Sequence, residues 1–159
     1  MKKSVILIIS TLSLIAIILI GLVFQRAEVY NVTVYVQEIV CSTIRIGDEY
    51  FAMKKNSQNI YVVDDPNRPD EPNAFLTLPY IEELTLDIIY EVLPYNATNQ
   101  SVTFFGDPSS LVAQVDGETG RVVFLDEGTE TFTIRANDNS NTSARVRLRA
   151  KVQDPEADT

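Results

Sequence analysis

The chain has 159 residues, 13 bases against 22 acids, a formal net charge of −9, no His and one Cys. This length has room for one domain. The acidic excess excludes a nucleic-acid-binding surface. The lack of His excludes His-based catalytic triads and, with one Cys, the usual zinc sites. We therefore predict a protein that is not an enzyme, uses no cofactor and has no nucleic-acid partner.

Residues 4–24 form an apolar segment without a charged side chain. As a helix it would be about 31 Å long, which matches the roughly 30 Å thickness of the hydrocarbon core of a bilayer. Lys2 and Lys3 precede it, so the positive-inside rule places the N-terminus in the cytoplasm. The segment predicts a single-pass signal-anchor helix that contacts the lipid bilayer through residues 4–24 of a protein of the cytoplasmic membrane. The domain that follows would be extracellular.

Cleavage of the same segment is the alternative. The apolar core of a signal peptide is about 7–15 residues long and ends at a small-x-small site. Gln25 and Arg26 stand directly before Ala27, where such a site would be needed. We therefore interpret the segment as a retained anchor, and a secreted protein remains the alternative if it is cleaved.

Beyond the anchor, apolar and polar residues alternate with period 2, which indicates β-strands. Residues 116–120 form a tight connection whose two glycines are available for positive φ. Short strands separated by turn residues are typical of an all-β sandwich. The predicted strands cover residues 31–37, 44–46, 50–53, 60–63, 84–93, 102–105, 112–115, 121–125, 129–136 and 144–152.

Several motifs follow one another in the second half of the chain. They are YEVLPYNATN at 90–99, VTF at 102–104, VAQVD at 112–116, GRV at 120–122 and GTETFTIRA at 128–136. In this order they resemble the bacterial immunoglobulin-like domain, group 2, a module of bacterial surface proteins and of intimin- and invasin-like adhesins. Phe104 stands where the family has tryptophan, and residues 51–81 have no counterpart in the ordinary module.

The resemblance implies an immunoglobulin-like β-sandwich, and the apolar segment predicts a single N-terminal transmembrane α-helix before it. Residues 1–26 would hold the cytoplasmic lysines and the anchor, and residues 27–152 the extracytoplasmic domain. Within that domain the core module is 84–152 and the elaborated N-terminal part 27–83. Residues 153–159 are expected to be a disordered acidic tail.

A proline-rich loop at 64–72 carries oxygen donors of the kind that calcium requires. Its spacing matches no EF-hand, and Arg68 stands among the acids. We interpret it as a solvated acidic loop without a metal, with calcium as the alternative. The calcium candidates are Asp64, Asp65, Asp70 and Glu71.

Four cations near the end of the chain alternate with apolar residues, which places them on one face of a strand. They are Arg145, Arg147, Arg149 and Lys151. Such a row could bind an acidic partner or anionic lipid head groups. The preferred interpretation is the outer face of a strand whose cations pair with acids across the sheet and guard a sheet edge.

Cys41 has no partner within the chain, so it is expected to be buried, with a disulfide between two chains as the alternative. The predicted function is a non-catalytic interaction, in surface adhesion or organisation close to the membrane. The partner would be an unidentified protein or surface polymer. An accessory or scaffold subunit of a membrane complex is the alternative.

Overall fold

The computed structural model describes residues 12–17, 32–71 and 73–152. The chain divides into two compact units, Met1–Val32 and Thr33–Thr159. In the first unit, residues 12–17 are helical. The predicted tail at 153–159 lies outside the described residues.

The prediction of a transmembrane helix is contradicted. Among the residues that the structure describes, none belongs to a helix with both the length and the apolar character needed to cross a bilayer. Helix is described at 12–17, and the other residues of the predicted span at 4–24 lie outside the described ranges.

The second unit is built from β-strands, because its sequence alternates apolar and polar residues and places turn residues between the runs. The strands described between residues 33 and 152 are β1 Glu38–Ile46, β2 Glu49–Lys55, β3 Tyr61–Val63, β4 Leu78–Pro79, β5 Thr85–Leu93, β6 Val102–Phe105, β7 Ala113–Val115, β8 Arg121–Phe124, β9 Gly128–Ala136 and β10 Ser143–Lys151. The described part of this unit is therefore all-β.

These strands form one continuous sheet in the order β6-β9-β10-β3-β2-β1-β5-β8-β7, and β4 pairs with β10 beside β3. β2 joins the two halves, because its residues 49–52 pair with β1 and its residues 53–55 pair with β3. A strand that changes partners in this way makes a corner between two packed layers. The predicted sandwich of two separate sheets behind a membrane helix is therefore wrong as a description of the architecture.

One hydrophobic core lies inside the folded sheet. Phe124 on β8 and Phe132 on β9 are both fully buried in it, although their strands lie near opposite ends of the sheet order. The sheet must therefore curve so that its two halves face each other. Burying a large apolar side chain contributes roughly 1.5–3 kcal/mol, so this shared core is the main source of stability.

The predicted strand at 31–37 is wrong for its described residues. Residues 32–37 are not strand, and Val32 is 75% exposed whereas Val36 is buried. The segment is held instead by hydrogen bonds to loops: Thr142 Oγ1 donates to the Val36 carbonyl at 2.8 Å, and the Val36 amide donates to Asp138 Oδ2. The Val34 amide donates to Thr98 Oγ1 at 2.9 Å, and the Gln37 amide donates to the Leu93 carbonyl at 2.8 Å.

Candidate functional site

The outer face of β9 and β10 carries a concentration of positive charge. We call it the basic face. It consists of Thr129, Thr131, Thr133, Arg135, Arg145, Arg147, Arg149 and Lys151. All of them point away from the core, because the residues that alternate with the β10 cations are buried, among them Val146 and Leu148. The period-2 pattern thus places the cations on one face, as the sequence predicted.

The register of the sheet sets an arginine beside a threonine at three successive levels. Across β9 and β10, Arg145 is opposite Thr133, Arg147 opposite Thr131 and Arg149 opposite Thr129. Arg149 Nε donates to Thr129 Oγ1 at 3.0 Å, and Arg147 Nε approaches Thr131 Oγ1 at 3.4 Å. The threonine hydroxyls therefore contact two of the guanidinium groups through Nε.

Aromatic rings lie beside two of the arginines. The Arg149 guanidinium carbon lies 4.6 Å from the centre of the Phe75 ring, and that of Arg135 lies 5.5 Å from the centre of the Phe105 ring. A cation over an aromatic face is attracted by the ring quadrupole. These contacts fix both guanidinium groups near opposite corners of the basic face.

The neighbours of the row differ from those expected. β10 is an interior strand between β9 and β3, so the cations guard no sheet edge. The residues opposite them on β9 are threonines rather than acids. Among residues 32–71 and 73–152, no ion pair joins an acid to any arginine of the basic face. The row therefore neither pairs with acids across the sheet nor protects a sheet edge. The structural role predicted for it is wrong.

A shallow pocket of about 240 Å³ lies where the basic face ends. Arg149, Lys151 and Thr129 line it together with Glu127. The Glu127 carboxylate accepts a hydrogen bond from the Val152 amide at 3.2 Å. Sequence reasoning found the cations but not this pocket, since the pocket depends on how the start of β9 lies beside the end of β10.

Residues 51–81, which have no counterpart in the resembled module, flank the basic face. β3 and β4 both run parallel to β10 along one side of it. Ile60, Val62 and Ala74 of this stretch are buried but lie outside the main core cluster. Phe75 from the same stretch packs on Arg149. Residues 51–81 thus form one border of the basic face.

The acids of the loop after β3 are engaged by cations. Asp65 is 6% exposed and accepts from Arg68 Nε at 2.9 Å, and Asp64 Oδ1 forms an ion pair with Lys54 Nζ at 2.8 Å. Hydrogen bonds, first from the Asn67 amide and then from Arg68, lower the pKa of Asp65. Glu71 lies 3.8 Å from the same Arg68. Arg68, which the sequence placed among the acids, therefore organises the loop.

The acids of this loop are not arranged as the ligands of a metal ion. In the part of the chain that the structure describes, no three His, Cys, Asp or Glu side chains come together in a group that could hold a metal ion. Of the four calcium candidates, Asp65 and Glu71 converge on a guanidinium group instead of on one another.

Cys41 lies inside the core. Its side chain is 1% exposed, and burial raises the pKa of its thiol to about 12. The thiolate is the reactive form of cysteine, so this thiol is both covered and protonated at neutral pH. The predicted burial of Cys41 is confirmed.

A second groove lies on the side of the fold where β6 and β7 end the sheet order. It has a volume of about 470 Å³, and its walls come from Phe104 to Pro108 and from Gln114 and Val115. Phe105 is 46% exposed beside it. The groove is open and carries one carboxylate, that of Asp107, among its lining residues.

Comparison of the chain with protein-family models gives no match, and comparison with curated proteins gives none either. The resemblance to the bacterial immunoglobulin-like domain, group 2, therefore stays a prediction. The function is therefore inferred from the geometry of the basic face.

Proposed function

We propose that the protein is a non-catalytic interaction domain that binds an acidic partner through the basic face. The observation that carries this proposal is the row of arginines, which forms no ion pair with an acid among the described residues, in a protein whose net charge is −9. The predicted roles in surface adhesion or organisation outside the cytoplasm are compatible with this and stay predictions.

Electrostatics supports the proposal. Same-face residues on a strand are separated by about 6.7 Å, and two unit charges at roughly 7 Å repel by about 0.6 kcal/mol in water and more near a protein surface. The domain has acids enough to neutralise the row, yet its ion pairs lie elsewhere, as between Arg45 and Asp87. An acidic partner would relieve the repulsion, and that relief would contribute to its binding.

The rigidity of the surface supports it as well. Each residue of the basic face lies on one of two strands that are paired with each other along their length, and two arginines also contact threonine hydroxyls. Side chains fixed before binding lose less conformational entropy on binding. A site on such strands is also better defined than one on loops.

Calorimetric titration of the whole chain with soluble polyanions tests the proposal. Polyglutamate and polygalacturonate serve as probes, at low and at high salt, since exposed charges are screened by salt. Exposed ion pairs contribute roughly 0.2–1 kcal/mol each, so the triple variant R145Q/R147Q/R149Q should bind about tenfold more weakly or worse.

A matched control isolates the face from the net charge. R147Q and R121Q remove the same charge, but Arg121 lies on β8 and pairs with Asp87. We expect R147Q to weaken binding and R121Q to leave it unchanged. Absence of binding to both polyanions, or equal loss in R147Q and R121Q, would show that the basic face has no such role.

A further inference from the structure

We infer that the acidic partner of the basic face is a carboxylate-bearing polysaccharide, a chain of uronic-acid type. This rests on the proposed function, since it names the class of partner that the same surface would hold. Two features carry it: two of the guanidinium groups contact threonine hydroxyls through Nε, and most of the backbone of the strands that present them is already paired.

The guanidinium groups suit carboxylates presented along a chain. With Nε of Arg149 donating to Thr129 and Nε of Arg147 approaching Thr131, both terminal nitrogens of Arg149 and Nη2 of Arg147 have no hydrogen-bond acceptor among the described residues. A guanidinium fork donates two parallel hydrogen bonds to one carboxylate. Arg147 Nη1 has a further contact, at 3.5 Å, with Gln58 Oε1. The forks of the row are spaced along β10 at intervals of about 6.7 Å.

The threonines add a second kind of contact. Each hydroxyl that accepts from an arginine still has its own hydrogen to donate and a lone pair to accept with. Thr129, Thr131 and Thr133 follow one another on the outer face of β9. A polysaccharide brings hydroxyls at every sugar along with its carboxylates, so both rows of the basic face would find partners on one ligand.

An acidic polypeptide fits this surface less well. An extended peptide usually binds a sheet by pairing with the backbone of an edge strand. β10 pairs with β9 along its length and, on its other side, with β3 at residues 146–147 and with β4 at residues 150–151, whereas β9 pairs with β6 at residues 133–136. Among the described residues, the first half of β9 has β10 as its one strand partner, and the Thr131 amide there donates to Glu130 Oε1 at 3.0 Å. A peptide would therefore find few free backbone groups on the basic face and would bind mainly through side-chain contacts.

The pocket at the end of the row favours a chain that passes over the face rather than a single small anion. It continues the line of the arginines past Arg149 to Lys151, and its volume is about 240 Å³. Glu127 on its wall is an acceptor for sugar hydroxyls and repels carboxylates. A sugar residue with a free hydroxyl suits this end better than a carboxylate does.

Titration of the whole chain with three matched polymers tests the inference. Polygalacturonate carries the carboxylates, fully methyl-esterified polygalacturonate has the same backbone without charge, and polyglutamate carries carboxylates on a peptide. We expect polygalacturonate to bind at least about tenfold more tightly than either of the others, because only it satisfies both rows.

A charge-preserving variant separates the fork from simple attraction. R145K/R147K/R149K keeps three positive charges but replaces each planar fork with a single ammonium group. We expect this variant to bind polygalacturonate about tenfold more weakly while its binding of polyglutamate changes less. Circular dichroism and the unfolding midpoint of the variant establish that it is folded.

The outcomes distinguish the two proposals. If polyglutamate binds as tightly as polygalacturonate and both need the arginines, the acidic-partner function stands and the polysaccharide inference is overturned. If the methyl ester binds as tightly as the acid, charge is irrelevant and both fail. If the lysine variant binds polygalacturonate unchanged, the fork argument is overturned.

Discussion

Phe104 lies directly against the backbone of Gly120: a Cβ built on Gly120 would be 2.4 Å from Phe104 Cζ and within 2.8 Å of two further ring atoms. Gly120 has φ +72 and ends the connection between β7 and β8. On the neighbouring side, the Phe104 ring meets Tyr90 edge to face at 5.4 Å. The Phe104 amide also donates to the Gly117 carbonyl at 2.9 Å. This contact joins β6 to the β7–β8 connection at the ends of the sheet.

Replacement of Gly120 by alanine should therefore destabilise the protein in two ways. The left-handed backbone disfavours a Cβ, and the buried, rigid Phe104 ring occupies the place of that Cβ. Together these effects should lower the free energy of unfolding by about 2–4 kcal/mol. Urea denaturation of the second unit, followed by tyrosine fluorescence, measures it.

Gly47 provides the matched control. It also has positive φ, +57, in the β1–β2 turn, but a Cβ there would meet nothing within 4 Å. Gly47→Ala should cost only the backbone term, about 1 kcal/mol. Equal losses for Gly47→Ala and Gly120→Ala would contradict the role assigned to the Phe104 ring.

Much of this fold follows from local pattern, and the exceptions have identifiable causes. Of the two glycines expected to take positive φ in the β7–β8 connection, Gly120 does and Gly117 does not. The sequence pattern does not predict the N-terminal half of β1, because a register irregularity between Cys41 and Thr43 breaks the alternation of apolar and polar residues. A bulge moves the buried positions from one parity to the other, so Ile39, Cys41 and Ile44 share the core without sharing a period of two.

The basic face likewise depends partly on the local sequence pattern of a strand and partly on pairing between distant strands. The alternation in β10 predicted that its cations share a face, and they do. The threonines beside them come from the register with β9, and the interior position of β10 comes from parallel pairing with β3 and β4. Neither pairing is encoded in the periodicity of one strand. The acid partners and the edge position expected for the row were wrong for that reason.

Acidification should remove the contribution of Asp87. Hydrogen bonds, first from Arg45 at 2.6 Å and then from Arg121 at 3.1 Å, lower the pKa of Asp87, although partial burial raises it. A carboxylate with a lowered pKa in the folded state stabilises the protein above its unfolded pKa, near about 3.9, and loses that contribution as the pH falls through the folded value.

We therefore expect Asp87→Asn to lower the melting temperature at neutral pH. The difference from the wild type should shrink as the pH falls below about 4 and disappear once the pH is below the lowered folded pKa. The contribution at neutral pH should be at most about 1 kcal/mol for each of these partly exposed pairs. Asp48→Asn, in the exposed β1–β2 turn, is the control and should change little. A difference that grows on acidification would contradict the assignment.

Arg68 should control the order of the loop after β3. It pairs with Asp65 at 2.9 Å and lies 3.8 Å from Glu71, so Arg68→Gln leaves the buried Asp65 carboxylate without its cation. A buried charge without a partner is unfavourable. We expect Arg68→Gln to speed cleavage between 64 and 71 by a protease under native conditions. Asp70→Asn changes a charge in the same loop outside these pairs and should not.

Asp138 should hold the segment that leads into β1. Its carboxylate accepts from the Val36 amide and from the Ser140 amide, and Thr142 donates to the Val36 carbonyl, so both backbone groups of the buried Val36 depend on this loop. Asp138→Ala should leave the Val36 amide without its acceptor, and buried polar groups without partners are costly. We expect faster amide hydrogen exchange at Val36 and a lower melting temperature.

Asp107→Ala is the control, because Asp107 bonds to Ser109 within its own turn. It should leave exchange at Val36 unchanged. Equal exchange rates at Val36 in the wild type and Asp138→Ala would show that the segment is held by its apolar contacts instead.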